Sequence, residues 1–493
     1  MLFELKREQR RFIREFGDKV LNDESALFIG AGVSRTAGFV DWKTLLKEIA
    51  DELELDIEQE HDLPALAQYH QTHRRTRTII NQTLIDEMSR SATEGPIHRI
   101  LARLPISTIW TSNYDCLLEE TYRKHGRKVE VKLSIANLAQ AQRGRDVTVY
   151  KMHGCMTQPQ DAVLTKDDYE RYDSKRALFS DSLRGDFVEK TFLFLGFSFT
   201  DPNIERILAK VRAQTEDHHQ RIHYWIAKQP QPAPDSASDD EKRQACYDIR
   251  KAQLVSEDLH RYGITTVWVD EYEHIPELLA TLEAYVARKG VFVSGAAVDF
   301  DPIGRERLEE LSQRVGAMLM KHGRNLISGF GLGLGGQVIL AALHALYELP
   351  RGNHGDRIVV RPFPGNTPLA ERPSLFRRHR EDLLIRAGAV IVISGNKNDG
   401  SGLPIPSPGV FEEVQLAQAM GKIVIPIGVT GYVAKQIWDD AMVSPDKYLP
   451  GIEIGSDLAA LGDLNWTMDS VIDAVASLLN KAEMVAAGKA ASR

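Results

Sequence analysis

The sequence predicts an α/β protein with two doubly wound, Rossmann-like domains, each built on a parallel sheet. First, its 493 residues exceed the length that a single hydrophobic core usually supports. Second, short apolar strands alternate with helical segments, which is typical of parallel sheets covered on both faces. Third, the succession of strand, glycine-rich turn and helix occurs twice, at residues 26–38 and 324–349.

The strands can be assigned in order along the chain. Those of the first domain are predicted at residues 26–29, 107–111, 147–151, 192–197, 222–227 and 265–269. Those of the second domain are predicted at residues 291–294, 325–328, 357–361, 389–394 and 422–427. The helix over 275–290 ends in Lys289-Gly290, a typical C-cap. We therefore predict domains at residues 1–288 and 289–493, with the Pro- and Ser-rich segment 229–240 as a surface loop of the first.

The composition indicates a soluble globular protein. Hydrophobic residues make up 43% of the chain, and no apolar run approaches the roughly 20 residues that span a bilayer. Residues 1–20 mix acidic with basic side chains and lack the apolar core of a signal peptide, so we predict an amphipathic helix there. That helix either covers its own domain or joins an interface. We expect a cytoplasmic protein with no membrane partner.

The charge distribution bears on the choice of ligand. A net charge of −8 argues against binding to nucleic acid. Two basic clusters, residues 73–77 and 377–380, suit a small anionic ligand or form solvated helix faces. The cysteines Cys116, Cys155 and Cys246 lie far apart in the sequence without a CxxC pair, so we expect neither a disulfide framework nor a structural zinc site.

Polar residues follow the strands of the first domain at the sheet edge where ligands usually bind. The turn Gly30-Ala31-Gly32 allows close approach of a pyrophosphate, or only tight packing. The segments 111–115, 150–154 and 193–201 each end a further strand. Because the carboxyl ends of parallel strands share one edge, we expect His153 to lie among these polar groups and to act chemically.

In their order, these segments resemble the motifs of the sirtuin family over roughly residues 22–290. The matching residues are Gly30-Ala31-Gly32-Val33-Ser34, Thr111-Ser112-Asn113-Tyr114-Asp115, His153-Gly154 and Gly196-Phe197-Ser198. The resemblance implies that Asn113 lies beside the nicotinamide ribose of NAD and a water, and that His153 is a base on a ribose hydroxyl. It implies further NAD contacts from Gly30, Ala31, Gly32, Ser34, Asp115, Gly196 and Ser198. Asp201 is expected either to cap a helix or to contact NAD.

The chemistry agrees with these residue types. Breaking the bond between ribose C1′ and nicotinamide requires an amide that orients water and an imidazole that titrates near neutrality, but no metal. The four-cysteine zinc module of sirtuin deacylases is missing after His153, where only Cys155 occurs. NAD hydrolysis is therefore favoured over a protein deacylase or ADP-ribosyltransferase, and over a non-enzymatic nucleotide-sensing assembly protein. The sequence leaves both linear and cyclised ADP-ribose open as the product.

The second domain has a glycine-rich loop of its own. Its residues Gly329, Gly331, Gly333 and Gly335 suit backbone contacts to a phosphate or sugar, or close packing. This loop, the strand that ends before Lys397, and the helix carrying Glu412 and Glu413 resemble the SLOG family of nucleotide-derivative sensors over about 291–480. The resemblance implies an effector site formed by the loop, Arg380, Lys397 and one of the two glutamates.

A sirtuin-like domain followed by a SLOG domain resembles the effector NADases of Thoeris antiphage defence. The resemblance implies that a partner TIR-domain protein makes a cyclic ADP-ribose isomer, which binds the SLOG domain and activates NAD destruction. It also implies a homo-oligomer, a tetramer in typical members, with filament formation on activation left open.

Overall fold

The computed structural model describes residues 5–39, 42–89, 92–199, 201–214, 221–349, 357–365, 368, 370–463, 465 and 467–486. The chain divides into two compact units, residues 1–283 and 284–493. The division falls within the helix that precedes the predicted domain boundary. Each unit is an α/β structure with a parallel sheet, which confirms the predicted fold class.

The first unit contains a parallel sheet of seven strands in the order β3-β4-β2-β1-β5-β6-β7. In chain order the strands are β1 (Ser25–Ile29), β2 (Thr108–Thr111), β3 (Val129–Lys132), β4 (Val147–Lys151), β5 (Thr191–Leu195), β6 (His223–Lys228) and β7 (Ile264–Val269). All six predicted strands are present. The edge strand β3 is not among the predicted strands, because charged residues interrupt its apolar pattern. Two of them, Glu130 and Lys132, pair with each other at 2.9 Å.

The helices of the first unit are named in chain order. They are α1 (Arg7–Leu21), α2 (Ala31–Arg35), α3 (Trp42–Leu45), α4 (Lys47–Glu52), α5 (Leu63–Arg74), α6 (Thr78–Met88), α7 (Pro96–Arg103), α8 (Leu117–Lys124), α9 (Ile135–Leu138), α10 (Lys166–Glu170), α11 (Tyr172–Lys175), α12 (Ala177–Glu189), α13 (Pro202–Gln214), α14 (Asp239–Leu259) and α15 (His274–Ala287). None of the helices in the described parts of the chain is long and apolar enough to cross a membrane.

The N-terminal helix α1 covers the sheet of its own unit. Its buried residues Phe12 and Phe16 place their rings 5.1 and 6.1 Å from the ring of Tyr224 in β6. The side-chain amide of Gln9 donates a 2.8 Å hydrogen bond to the carbonyl of Trp268 in β7. Of the two roles left open by the sequence, the apolar face of α1 therefore serves its own core.

The second unit has a parallel sheet of five strands in the order β10-β9-β8-β11-β14, beside a two-stranded hairpin. The strands are β8 (Gly290–Ala296), β9 (Asn325–Ser328), β10 (Ile358–Val360), β11 (Ala389–Ser394), β12 (Asn396–Asn398), β13 (Pro404–Pro406) and β14 (Ile423–Ile427). The helices are α16 (Arg305–Lys321), α17 (Gly335–Glu348), α18 (Arg372–Leu384), α19 (Pro408–Ala419), α20 (Tyr432–Val443), α21 (Asp457–Ala460) and α22 (Met468–Ala486). The five predicted strands are present, and the antiparallel hairpin β12–β13 is an addition.

The turns after β1 and β5 meet backbone to backbone in the first unit. The amide of Gly30 donates to the carbonyl of Leu195, and the amide of Gly32 donates to the carbonyl of Gly196, both at 2.9 Å. Gly196 adopts a φ of +62°, and a Cβ atom there would lie 2.5 Å from the amide nitrogen of Val33. The two turns therefore pack at a distance that only glycine allows.

Replacing Gly196 with Ala tests this contact against a matched control, Gly126→Ala. Both glycines have positive φ, but a Cβ atom at Gly126 meets nothing within 4 Å. Gly126→Ala should cost about 1–2 kcal/mol of unfolding free energy from its backbone conformation alone. Gly196→Ala should cost about 1–3 kcal/mol more because two backbones must separate. Denaturant unfolding measures both costs, and equal costs would contradict the close packing.

Candidate active site

The register of the first sheet aligns Asn113 with His153. β2 and β4 are parallel neighbours, and their last residues, Thr111 and Lys151, are paired. Asn113 and His153 each stand two residues beyond these strand ends. Because neighbouring strands lie about 4.8 Å apart, the two side chains occupy equivalent positions at the same sheet edge.

The side-chain amide of Asn113 is held in one orientation. Its Nδ2 donates to the carbonyl of Gly30 at 3.1 Å and to the hydroxyl of Ser34 at 2.9 Å. A carbonyl can only accept, so the NH₂ group must face Gly30. The opposite atom, Oδ1, is buried and accepts no hydrogen bond from the described residues. Asn113 therefore presents an unused acceptor, which suits a water or a sugar hydroxyl.

Ser34 and Asp115 support this amide. The Ser34 hydroxyl donates to Oδ2 of Asp115 at 2.8 Å, and Oδ1 of Asp115 accepts from the amide of Leu117 at the start of α8 at 3.0 Å. Both carboxylate oxygens are thus engaged within the protein. Asp115 holds Ser34, which in turn holds Asn113.

The imidazole of His153 faces a carboxylate from the turn after β5. Its Nε2 atom lies 3.1 Å from Oδ2 of Asp201, but the pair lacks the alignment of a hydrogen bond. The other oxygen of Asp201 accepts from the backbone amide of Asn203 at 2.9 Å. Asp201 therefore caps α13 and also contacts the imidazole. The sequence predicts that Asp201 either caps a helix or contacts NAD, but it does not predict this pairing with His153.

The surroundings of His153 keep the imidazole neutral. The ring is buried, and the rings of Tyr169 and Tyr172 stand edge-on at 5.5 and 6.1 Å. Burial lowers the pKa of His153 below its usual value; the nearby Arg176 cation lowers it further, and the Asp201 carboxylate opposes this change. A neutral imidazole can accept a proton, as a base must.

A buried ion pair lies beneath the site. The Lys151 ammonium, at the end of β4, is 2.9 Å from Oε1 of Glu119 and also donates to the backbone carbonyl of Asp115. Both side chains are buried. This pair is not among the predicted site residues, although a lysine at the end of an apolar strand is a usable signal.

The remaining residues predicted to contact NAD lie in the two turns. Gly30, Gly32 and Gly196 form the backbone contact described above, while Ala31 and Ser198 are exposed. The basic cluster 73–77 is largely occupied by ion pairs. The guanidinium of Arg74 pairs with Glu52 at 3.0 Å, and that of Arg77 pairs with Asp168 at 2.6 Å.

The glycine-rich loop of the second unit packs on the end of β8. A Cβ atom at Gly331 would lie 1.9 Å from the carbonyl oxygen of Gly295, and one at Gly333 would lie 2.1 Å from that of Ala297. Close packing therefore accounts for these two glycines. Gly329 lies against the ring of Phe363, and Gly335 starts α17. Beneath the loop is a small cavity lined by Val293, Gly295, Ser328, Gly331, Leu334, Gly335, Val338 and Ile393.

Arg380 joins both candidate glutamates. Its Nη1 atom lies 2.7 Å from Oε2 of Glu412, and its Nε atom lies 3.5 Å from Oε1 of Glu413. The guanidinium stands 4.9 Å from the ring centroid of Phe363. Burial raises the pKa of Glu413, although Ser294 donates to its carboxylate at 2.5 Å. Lys397 is exposed on β12, where it pairs with Ile405 of β13, and its ammonium forms no hydrogen bond or ion pair with the described residues.

No group of three or more His, Cys, Asp or Glu side chains in the described ranges is arranged to hold a metal ion.

Two family models match the chain. The model of the SIR2-like domain matches residues 107–252, which include Asn113, His153 and Asp201. The model of the Sir2- and TIR-associating SLOG family matches residues 274–482, which include Arg380, Lys397 and the two glutamates.

The chain is similar over nearly its full length to NAD(+) hydrolase ThsA from two bacteria. It is 38% identical to the protein of Bacillus cereus (strain MSX-D12), with 96% of this chain and 98% of that one covered. It is 37% identical to the protein of Cytobacillus dafuensis, with 95% of each chain covered. A shorter match of 26% identity, to defense-associated sirtuin 2 of Bacillus subtilis, covers 45% of this chain and 22% of that one.

The contact between Asp201 and His153 predicts the effect of removing one charge. Asp201→Asn should lower the pKa of His153 further, because the carboxylate that stabilises the imidazolium is lost. Asparagine is also a good N-cap, so α13 should keep its start. NMR titration of the histidine ring carbons measures the change. Asp173→Asn, at an exposed carboxylate, is the control and should leave this titration unchanged; an unchanged or raised pKa in Asp201→Asn would refute the contact.

Proposed function

Because this chain belongs to the family of the NAD(+) hydrolase ThsA, we propose that Asn113 and His153 catalyse the hydrolysis of NAD in its first domain, residues 1–288. The overall reaction splits the bond between ribose C1′ and nicotinamide and adds water, giving nicotinamide, ADP-ribose and a proton. The observation that carries this assignment is the free, buried Oδ1 of Asn113 at the sheet edge it shares with His153.

Asn113 orients the nucleophile. As nicotinamide leaves, positive charge develops at C1′, and the reaction needs a water held on that atom. Oδ1 of Asn113 can accept one hydrogen of this water, since both hydrogens of its NH₂ group are committed to Gly30 and Ser34. An amide that cannot turn holds the water without reorganising during the reaction.

His153 removes a proton. With its pKa below the usual value, the imidazole is neutral at neutral pH and can accept a proton from a ribose hydroxyl. The Asp201 carboxylate, 3.1 Å from Nε2, stabilises the imidazolium that results. Asp201 is thus a positioning residue in this proposal.

The second domain, residues 289–493, is proposed to bind the activator, a cyclic ADP-ribose isomer. Arg380, Lys397, Glu412 or Glu413 and the loop from Gly329 to Gly335 are the proposed contacts. Support comes from the convergence of Arg380 with both glutamates and from the exposed, unengaged ammonium of Lys397. In the structure Glu412 forms an ion pair with Arg380, so an anionic effector would compete with the Glu412 carboxylate for the guanidinium.

The proposed biological role is antiphage defence of the Thoeris type through NAD depletion in the cytoplasm. A TIR-domain protein is the proposed source of the activator. We also propose a homotetramer, with filaments on activation. Helix α17 supports assembly, because Leu340, Leu343 and Tyr347 share one face and are exposed.

Loss of either catalytic side chain should stop nicotinamide release. Asn113→Ala and His153→Ala should each lower the activated turnover at least about 100-fold, since each removes a group that acts on the reacting atoms. Mass spectrometry of NAD, nicotinamide and ADP-ribose measures this after incubation with cyclic ADP-ribose isomers, each tested alone. The control His260→Ala, at an exposed residue before β7, should keep full turnover. Wild-type turnover in either variant, with thermal unfolding unchanged, would reject the assignment.

Lys397→Ala should weaken activation without altering the active site. Loss of one charge-assisted contact should raise the half-activating concentration of the cyclic ADP-ribose isomer about tenfold, with the maximal rate retained. Lys321→Ala is the matched control, because Lys321 is an exposed lysine at the end of α16, near the amino end of β9, whereas Lys397 follows the carboxyl end of β11. A dose–response curve of nicotinamide release measures the shift. Equal shifts in the two variants would remove Lys397 from the effector site.

A further inference from the structure

Two cysteines meet beside the proposed catalytic residues. The Sγ atoms of Cys116 and Cys155 lie 3.4 Å apart, although 39 positions separate them in the sequence. Neither cysteine forms a disulfide. Cys116 follows Asp115 directly, and Cys155 follows His153 by two residues. The sequence predicts no disulfide framework and does not predict this pair, because only the adjacency of β2 and β4 brings the two cysteines together.

The protein backbone holds the two thiols in place. The amide of Met156 donates a 2.9 Å hydrogen bond to the carbonyl of Tyr114, which joins the loop after β4 to the loop after β2. Cys155 is 2% exposed, whereas Cys116 is partly exposed. Solvent therefore reaches the pair from the side of Cys116.

The hydrogen bond between the two sulfurs shifts both pKa values. The pKa of Cys155 is lowered, because Cys116 donates a hydrogen bond to its thiolate and the Lys151 cation lies nearby. The pKa of Cys116 is raised, because its proton is held by that thiolate. A thiolate is the form of cysteine that reacts with oxidants.

We propose that Cys116 and Cys155 form an oxidation site that takes a hydroperoxide and closes to an intramolecular disulfide, which slows the enzyme. The spacing of the two sulfurs carries this proposal, since an S–S bond of about 2.05 Å requires them to approach by little more than one ångström.

The chemistry balances with hydrogen peroxide as the oxidant. The Cys155 thiolate attacks one peroxide oxygen, and the O–O bond breaks, which gives a sulfenic acid on Cys155. The released hydroxide takes up a proton and leaves as water. The second thiol then attacks this sulfur, the S–O bond breaks, and a second water leaves as the S–S bond forms. The two sulfurs together lose two electrons, and the peroxide gains them.

Closing the disulfide draws the two catalytic loops together. Asn113 and Asp115 precede Cys116 in one loop, and His153 precedes Cys155 in the other. A shift of about 1 Å in reacting groups costs on the order of 100-fold in rate, so the turnover should fall. This consequence rests on the proposed NAD hydrolysis, whereas formation of the disulfide does not.

The test uses the full chain, reduced, desalted and then treated with hydrogen peroxide. After alkylation of the remaining thiols, peptide mass spectrometry should find Cys116 linked to Cys155 with the loss of two hydrogen atoms. Nicotinamide release should fall at least tenfold in the same sample and recover with dithiothreitol. Cys246→Ser is the matched control: this exposed cysteine lies in α14, so the variant should keep both the disulfide and the response.

Cys116→Ser and Cys155→Ser should each abolish the response, so that oxidised and reduced samples turn over NAD equally. Cys116 is the less buried of the two, and its variant keeps the test valid if Cys155→Ser folds poorly. Failure to detect the disulfide in the wild-type chain overturns the proposal, whatever the NADase assay gives. If the disulfide forms but turnover does not change, the proposed slowing of the enzyme by the disulfide is wrong. A disulfide in a chain that is inactive even when reduced supports the oxidation site and counts against the proposed function.

Discussion

The site in the first unit depends on the contact between two turns that carry no side chains where they meet. Gly30 and Gly32 lie against Gly196, and two amide–carbonyl hydrogen bonds of 2.9 Å join the turns. This contact fixes the carbonyl of Gly30, which accepts from Asn113. The orientation of the Asn113 amide follows from that hydrogen bond, and its free Oδ1 follows from the orientation. One steric constraint therefore determines which atom of the Asn113 amide is left without a hydrogen-bond partner among the described residues.

Charges around the site are arranged so that the imidazole stays neutral while carboxylates stay paired. Burial and the Arg176 cation lower the pKa of His153 more than Asp201 raises it. Lys151 and Glu119 neutralise each other in the interior beneath, where an unpaired charge would cost several kcal/mol. Asp115 is engaged by Ser34 and by the start of α8. A neutral imidazole is what the proposed role of His153 as a base requires.

Sequence patterns predicted the fold, which the structure confirms, and they placed Asn113 and His153 at one edge of the first sheet, but they did not predict the partners of these side chains. Asn113 and His153 could be predicted to lie together because each follows an apolar strand, and the carboxyl ends of parallel strands share one edge of the sheet. The partner of His153 could not be found, since Asp201 also satisfies the rule for a helix cap. Gly331 and Gly333 follow a pattern typical of phosphate binding, yet a Cβ atom at either position would collide with a carbonyl oxygen at the end of β8 or just after it. Such contacts depend on distances between segments far apart in the chain, which a single sequence does not contain.

The ion pair between Arg380 and Glu412 bears on how the proposed activator would act. A ligand shifts an equilibrium only by the difference of its binding free energies to the two states. A 100-fold activation needs a difference of about 2.7 kcal/mol. An effector phosphate that took the place of Glu412 would gain charge-assisted hydrogen bonds from Arg380. The Glu412 carboxylate, whose side chain is only 33% exposed, would then lose its partner. Glu413, buried and 3.5 Å from Nε, would stay behind and offset part of the gain. The favourable surplus must then come from groups with no partner to displace, and Lys397 is such a group among the described residues.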